Sequence, residues 1–191
     1  NFKDKIQNNI NNDKISLIAE IKKASPSAGI IVENYDPLNI AKIYNNNKTT
    51  CLSILTEEDF FLGNLIHVSK VKEKIKLPVL CKDFFIDKFQ VHLAKSYGAD
   101  AILIIIAGVS DELANELYEE ALKLNMSVIV EVHTVNEAKK SGAFVITNNM
   151  NLGKGAALKS LFNFARHSNA DVIVTIDGDG QFLPEEIPKL T

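Results

Sequence analysis

The chain has few cysteines, no long hydrophobic run and no block of basic residues. Cys51 and Cys81 lie inside apolar stretches and not at the spacing of metal ligands, so we interpret them as buried thiols in a reducing compartment. Every apolar run is far shorter than the ~20 residues of a membrane span, and we expect no signal peptide. The net charge of −3, with dispersed lysines, gives no attraction for nucleic acid. We therefore predict a cytoplasmic protein that binds neither nucleic acid nor membrane.

What the chain does have is a regular alternation of short apolar runs and helical stretches. Its 191 residues, 46% of them hydrophobic, are enough for one domain with a substantial core. Alternating strands and helices require parallel βα units with right-handed crossovers. We predict a single α/β domain over residues 1–191, an incomplete (β/α)8 TIM barrel of about seven parallel strands, with an open doubly wound sheet as the alternative. The predicted strands are residues 16–21, 51–55, 79–82, 101–107, 128–131, 144–146 and 171–176.

Charged residues stand at the ends of three of these apolar runs. Glu20 and Lys22 follow the first run, Lys82 ends the third and Glu131 ends the fifth. Ligands of α/β folds bind at the carboxyl edge of the sheet, and odd-numbered barrel strands contribute to the same interior layers. Two lysines and two carboxylates that converge there suit acid–base chemistry on an anionic substrate. The competing interpretation is a rim of salt bridges that closes the top of a barrel.

Five segments carry a resemblance to a known family. In chain order they are LIAEIKKASPSAGII, YDPLNIAKIY, CLSILTEEDFFLGNL, LPVLCKDFFID and VIVEVHT. Together they resemble the indole-3-glycerol phosphate synthases of tryptophan biosynthesis over about residues 2–138. The resemblance implies a (β/α)8 barrel and a lyase that cyclises 1-(o-carboxyphenylamino)-1-deoxyribulose 5-phosphate with loss of carbon dioxide and water. It also implies one small-molecule substrate, no metal and no organic cofactor, and we expect a monomer.

The resemblance assigns catalytic roles to three residues at the strand ends. Lys82 corresponds to the general acid that protonates the substrate ketone as the ring closes. Glu131 corresponds to a carboxylate that assists the later proton transfers. Glu20 corresponds to the carboxylate of the pair on the first strand, so we expect it to act beside the general acid.

Three further residues correspond to positions that bind the substrate in that family. Lys22 corresponds to a lysine near the substrate carboxylate and phosphate, and Ser25 to a serine of the loop beside it. Phe61, in the segment EEDFFLGN, corresponds to part of the apolar wall that holds the anthranilate ring. These residue types suit the substrate, because its aniline ring can pack on an aromatic side chain, and its carboxylate and phosphate can pair with lysines.

Residues 139–191 carry a different resemblance. The Asn-Arg-Asp and Glu-Ser-Gly strand ends and the glycine-rich phosphate loop of the synthases do not occur after the fifth predicted strand. The segment instead resembles an inner piece of the family 2 glycosyltransferases of the dolichyl-phosphate mannosyltransferase type. It has an N-x-G-K-G-A-A helix start and a D-x-D-G-Q motif that contains Asp177 and Asp179. We therefore predict a chimera with a seam near residues 137–142, which joins a synthase-like part (1–138) to a glycosyltransferase-like part (139–191).

The D-x-D-G-Q motif bears on both metal binding and activity. The alternative to a metal-free protein is a metal site at Asp177 and Asp179. Paired carboxylates bind Mg²⁺ or Mn²⁺, although two ligands alone make a weak site. In phosphate-binding barrels the substrate phosphate docks after the seventh and eighth strands, where these carboxylates would repel it. We therefore expect a synthase of low activity. The alternatives are a nucleotide-sugar glycosyltransferase fragment and an inert chimera.

Overall fold

The computed structural model of the chain describes residues 1–12 and 14–132, and these residues contain a parallel sheet. Its strands are β1 (Ile18–Ile21), β4 (Cys51–Leu55), β5 (Val79–Lys82), β6 (Ala101–Ile105) and β7 (Ser127–Glu131). They lie side by side in the order β1-β4-β5-β6-β7. Two further strands, β2 (Ala24–Ser25) and β3 (Gly29–Ile30), form a separate antiparallel hairpin.

Helices connect the strands of the parallel sheet, except for the first helix, which precedes β1. They are α1 (Phe2–Ile10), α2 (Pro37–Asn46), α3 (Ile66–Lys72), α4 (Lys88–Ser96) and α5 (Asp111–Lys123), with a short 3-10 helix at Ile106–Gly108. The strands of the main sheet follow one another in chain order, without the reversal that defines a doubly wound sheet. The predicted (β/α)8-type fold is therefore confirmed over the open doubly wound alternative. The predicted strands at 144–146 and 171–176 lie outside the described residues.

The helix boundaries are set mainly by capping side chains. Asp36 caps α2, where its Oδ1 accepts hydrogen bonds from the N–H groups of Leu38 (3.0 Å) and Asn39 (3.1 Å). Pro37 takes the first helical position, where its missing N–H costs nothing. One strand is shorter than expected, because the apolar run 101–107 leaves the sheet after residue 105 and turns into the 3-10 helix.

Alternate residues of each strand pack on opposite faces of the sheet. Leu52 and Ile54 face the core beneath the helices, whereas Cys51 faces an inner cluster with Leu80. Cys51 and Cys81 are both buried and free, and burial raises the pKa of each thiol to about 12. The prediction of buried thiols is thus confirmed. The period of two residues fixes which side chains reach the inner face of the barrel.

The first helix covers the amino-terminal end of that inner face. Phe2 of α1 is fully buried in the inner cluster. The N–H of Lys3 donates to Ser127 Oγ at the start of β7 (3.1 Å), and Asn9 Nδ2 donates to Thr50 Oγ1 just before β4 (3.1 Å). Because α1 is tied to the amino ends of two strands, the carboxyl ends are left for a ligand.

The chain divides into two compact units, Asn1–Val130 and Glu131–Thr191, and the fold described above is that of the first. The predicted seam near 137–142 and the alternative metal ligands Asp177 and Asp179 lie outside the described residues. Among the residues that the structure describes, no helix is both long enough and apolar enough to cross a membrane.

Candidate active site

Three of the predicted site residues meet at the carboxyl edge of the sheet. The carboxylate of Glu20 lies between two ammonium groups: its Oε2 is 2.6 Å from Lys82 Nζ and its Oε1 is 2.7 Å from Lys22 Nζ. Each of the three side chains is about a third exposed, at 30%, 33% and 32% respectively. The cluster is therefore partly desolvated but open to a ligand from one side.

The strand register explains why Glu20 and Lys82 meet. Ile21 of β1 is level with Ile54 of β4, which is level with Cys81 of β5. All three side chains pack into the core beneath the helices. Glu20 precedes Ile21 and Lys82 follows Cys81, so both side chains emerge on the inner face. They reach each other across the intervening strand β4.

Charge and burial act in opposite directions on Glu20. Burial tends to raise the pKa of this carboxyl, but the attraction and hydrogen bonds of Lys82 and Lys22 outweigh it, and the net shift is downward. The main chain beside it is also held, because Tyr44 Oη on α2 donates to the Glu20 carbonyl oxygen at 3.1 Å. Glu20 therefore remains a fixed carboxylate at neutral pH.

A hydrogen-bonded pair behind Lys82 was not predicted from the sequence. The N–H of Thr56 donates to the Lys82 carbonyl oxygen (3.1 Å), and its hydroxyl donates to Asp83 Oδ2 (2.5 Å). The other oxygen of Asp83 accepts from the N–H of Phe84 at 2.8 Å. Burial raises the pKa of Asp83, against the lowering effect of these two hydrogen bonds. The pair fixes the main chain at Lys82 and directly after it. A threonine and an aspartate are too common at strand ends for this role to be predicted from the sequence.

Gln90 on α4 organises the loop that follows Lys82. Its Oε1 accepts from the N–H groups of Ile86 (2.7 Å) and Asp87 (3.0 Å), and its Nε2 donates to the carbonyl oxygen of Phe84 (3.0 Å). Asp87 in turn caps α4, so the two side chains form a capping box. The loop is held by side-chain contacts on both sides, which leaves Lys82 on a well-supported backbone.

The other predicted site residues lie on three other elements of the chain. Phe61 lies on the loop after β4, the strand between Glu20 and Lys82, and is half-buried. Ser25 lies in the β2–β3 hairpin, where its Oγ accepts from the N–H of Ala28 at 3.2 Å. Glu131 is the last residue of β7 and shares a strand face with Ile129, which packs against the inner cluster. The roles of all three remain predictions.

The chemistry of the cluster is that of proton transfer and anion binding. Lys82 and Lys22 supply N–H donors, and Glu20 supplies a carboxylate that orients both. In the part of the chain that the structure describes, no group of three or more histidine, cysteine or acidic residues is placed to hold a metal ion. An ammonium fixed by a carboxylate at the mouth of a barrel is suited to donate a proton to a bound carbonyl.

Comparison with known proteins identifies the relatives of this chain. The family model for indole-3-glycerol phosphate synthase matches residues 1–177. Similar proteins include the indole-3-glycerol phosphate synthases of Trichodesmium erythraeum, 44% identical over 65% of this chain and 42% of the relative, and Bacillus licheniformis, 50% identical over 62% and 47%. That of Dehalococcoides mccartyi is 47% identical over 73% of this chain and 56% of the relative. The chain spans about half the length of the curated relatives it matches.

A solved structure supports the fold. The 3-keto-L-gulonate-6-phosphate decarboxylase of Vibrio cholerae is similar with a TM-score of 0.50, over 92% of this chain and 84% of that one. Its sequence identity is 14%, so the likeness concerns the architecture alone. The family match extends to residue 177, beyond the seam predicted near residues 137–142.

Proposed function

Because this chain belongs to the indole-3-glycerol phosphate synthase family, we propose that its Glu20–Lys22–Lys82 cluster serves the ring-closing reaction of that family. The reaction converts 1-(o-carboxyphenylamino)-1-deoxyribulose 5-phosphate into indole-3-glycerol phosphate, with loss of carbon dioxide and water. The observation that carries the proposal is the carboxylate held between two ammonium groups at the carboxyl edge of the sheet. We propose that the protein works as a cytoplasmic monomer without metal or cofactor.

In this proposal Lys82 is the general acid. Its ammonium donates a proton to the ketone oxygen of the substrate while the aromatic ring forms the new carbon–carbon bond. Glu20 orients the ammonium at 2.6 Å and balances its charge before the substrate binds. Glu131 assists the later proton transfers that accompany loss of carbon dioxide and water. A positioned acid of this kind contributes roughly 10²–10⁴ to the rate.

The substrate is bound by contacts on either side of this acid. Lys22 pairs with the anionic groups of the substrate, because its ammonium already faces the same edge as Lys82. Phe61, on the loop after β4, provides a wall for the anthranilate ring. Ser25 supplies a hydroxyl from the hairpin that follows Lys22. Aromatic packing and charge-assisted hydrogen bonds are the contacts that such a substrate requires.

The Lys82→Ala variant tests the catalytic proposal. Formation of indole-3-glycerol phosphate, followed by fluorescence, should fall roughly 10²–10⁴-fold in kcat, the range for a lost general acid. Lys88→Ala is the matched control, since Lys88 is an exposed lysine paired with Glu116 between α4 and α5. Its loss should leave turnover unchanged. Equal activity of Lys82→Ala and Lys88→Ala would remove Lys82 from the mechanism.

A second proposal concerns residues 139–191. Their D-x-D-G-Q motif at Asp177 and Asp179 favours a glycosyltransferase-like segment joined near residues 137–142, and with it a low synthase activity. The family match to residue 177 favours a single synthase-like sequence through most of the same segment. Manganese-dependent binding of a nucleotide sugar would support the joined segment. Synthase turnover within tenfold of a complete relative, with no such binding, would refute it.

A further inference from the structure

The loop between β4 and α3 is folded around a single carboxylate. Glu57 Oε2 accepts hydrogen bonds from the N–H groups of Phe60 (2.8 Å) and Phe61 (2.9 Å). Its Oε1 accepts from the N–H of Asp59 at 3.0 Å. Hydrogen bonds to an ionised acceptor are about twice as strong as neutral ones, and three converge here on one side chain. The carboxylate therefore takes the place of a regular backbone acceptor for three consecutive N–H groups, those of residues 59–61.

The main chain of the same residue closes the other end of the loop. The Glu57 carbonyl oxygen accepts from the N–H of Gly63 at 2.7 Å. A Cβ at position 63 would lie 2.8 Å from that oxygen and still closer to the carbonyl oxygen of Leu55. Leu62 adopts a left-handed conformation with φ of 52°. The segment 57–63 is thus a compact turn with no space for a side chain at its closing point.

We propose that Glu57 is a positioning residue that fixes Phe61 for substrate binding. The inference rests on the proposed function for the role of Phe61, but the positioning itself can be tested without substrate. Because Phe61 is one of the three residues that donate to the carboxylate, loss of that acceptor frees the backbone of the aromatic residue directly. Replacement of Glu57 by Gln removes the negative charge and one of the two acceptor oxygens, so the N–H groups of Phe60 and Phe61 keep at most a neutral acceptor, whose hydrogen bonds are about half as strong.

A neighbouring residue provides a matched control. Glu58 carries the same charge in the same loop, but the hydrogen bond that it accepts within the described residues comes from a side chain, Nδ2 of Asn64, at 2.7 Å. Glu57→Gln and Glu58→Gln therefore change the net charge equally, and only the first weakens hydrogen bonds to the backbone N–H groups of the loop. A difference between the two variants reports loop positioning and not electrostatics.

The first measurement uses the absence of tryptophan from the chain. A Phe61→Trp variant carries a single tryptophan in the loop, and its quenching by acrylamide reports the exposure and mobility of that side chain. We expect Glu57→Gln to raise the quenching constant by about twofold or more and Glu58→Gln to leave it unchanged. Glu57→Asp, which keeps both oxygens on a shorter side chain, should give an intermediate value and serves if Glu57→Gln does not fold. Equal quenching in all backgrounds would overturn the proposal.

The second measurement is kinetic and uses the chain with Phe61 in place. Glu57→Gln should raise KM roughly 3–10-fold, equivalent to the ~0.5–1.5 kcal/mol of a typical hydrogen bond, and change kcat by less than about twofold. Glu58→Gln should change neither. A fall in kcat at constant KM would overturn the link between Glu57 and substrate binding. Altered quenching in a protein without synthase activity would support the positioning and refute the proposed function.

Discussion

Replacement of Glu20 by Gln should destabilise the protein, because it removes the charge that holds two ammonium groups together. The Glu20 carboxylate lies 2.6 Å from Lys82 Nζ and 2.7 Å from Lys22 Nζ. Exposed ion pairs contribute about 0–1 kcal/mol, whereas loss of one partner of a buried pair costs about 3–5 kcal/mol. Since the three side chains are about a third exposed, we expect the free energy of unfolding to fall by about 1–3 kcal/mol at pH 7.

The effect should depend on pH with a defined sign. Although burial tends to raise it, the folded-state pKa of Glu20 lies below the ordinary value of 4.5, because the two lysines outweigh burial. The stabilising contribution of the carboxylate is therefore fully present above pH 4.5 and is lost as the pH falls through the folded-state pKa. The stability difference between the native protein and Glu20→Gln should shrink over the same acid range.

Urea denaturation at pH 7 and at several acid pH values measures both quantities. Glu116→Gln is the control, because Glu116 pairs with Lys88 and both side chains are about half exposed. It should lower the free energy of unfolding by less than about 1 kcal/mol. If Glu20→Gln costs no more than the control at pH 7, or if its cost is constant down to acid pH, the reasoning about the charge cluster is wrong.

Three further substitutions test the elements that support the site, each by urea denaturation. Asp100→Asn removes the 2.7 Å ion pair with Lys72 of α3 and should lower the free energy of unfolding by about 1 kcal/mol. An unchanged free energy of unfolding would show that the pair does not stabilise the protein. Thr56→Val removes the hydrogen bond from the buried Thr56 hydroxyl to Asp83 and should lower the free energy of unfolding by about 1–3 kcal/mol, whereas Thr56→Ser should be milder. Gly63→Ala should cost about 1–3 kcal/mol by steric overlap, whereas Gly108→Ala, with no atom within 4 Å of its Cβ position, should cost little.

The strands and their inner faces could be predicted because they follow from local pattern. The predicted limits of Cys51–Leu55 and Val79–Lys82 agree with the observed strands, because polar or turn residues on both sides of an apolar run define where the strand begins and ends. The meeting of Glu20 with Lys82 was also predicted, because both residues stand at strand ends on the same face of one parallel sheet.

The loops could not be predicted in the same way, because they are held by side-chain to backbone contacts without a period. The segment KASPSAG reads as a turn, but Ala24–Ser25 and Gly29–Ile30 pair as a small hairpin, with Gly29 at a φ of 64°. The partners of Glu57 and Gln90 are similarly specific to their loops. The spacing of Asp87 and Gln90 is that of a capping box, but the contacts of Gln90 with Ile86 and Phe84 depend on the three-dimensional course of the loop and have no sequence pattern.

The position of the charged cluster follows from the energetics of the inner face. Leu80 lies on the same face of β5 as Lys82, two residues earlier, and is buried in the inner cluster with Phe2 and Cys51. An ammonium at position 80 would lose its hydration among apolar side chains, at a cost of several kcal/mol for an unpaired ion. At position 82 the side chain is a third exposed and has the Glu20 carboxylate as a partner, so the same charge is tolerated. The requirement for a stable core thus confines ionised residues of this face to the carboxyl edge, where a substrate can reach them.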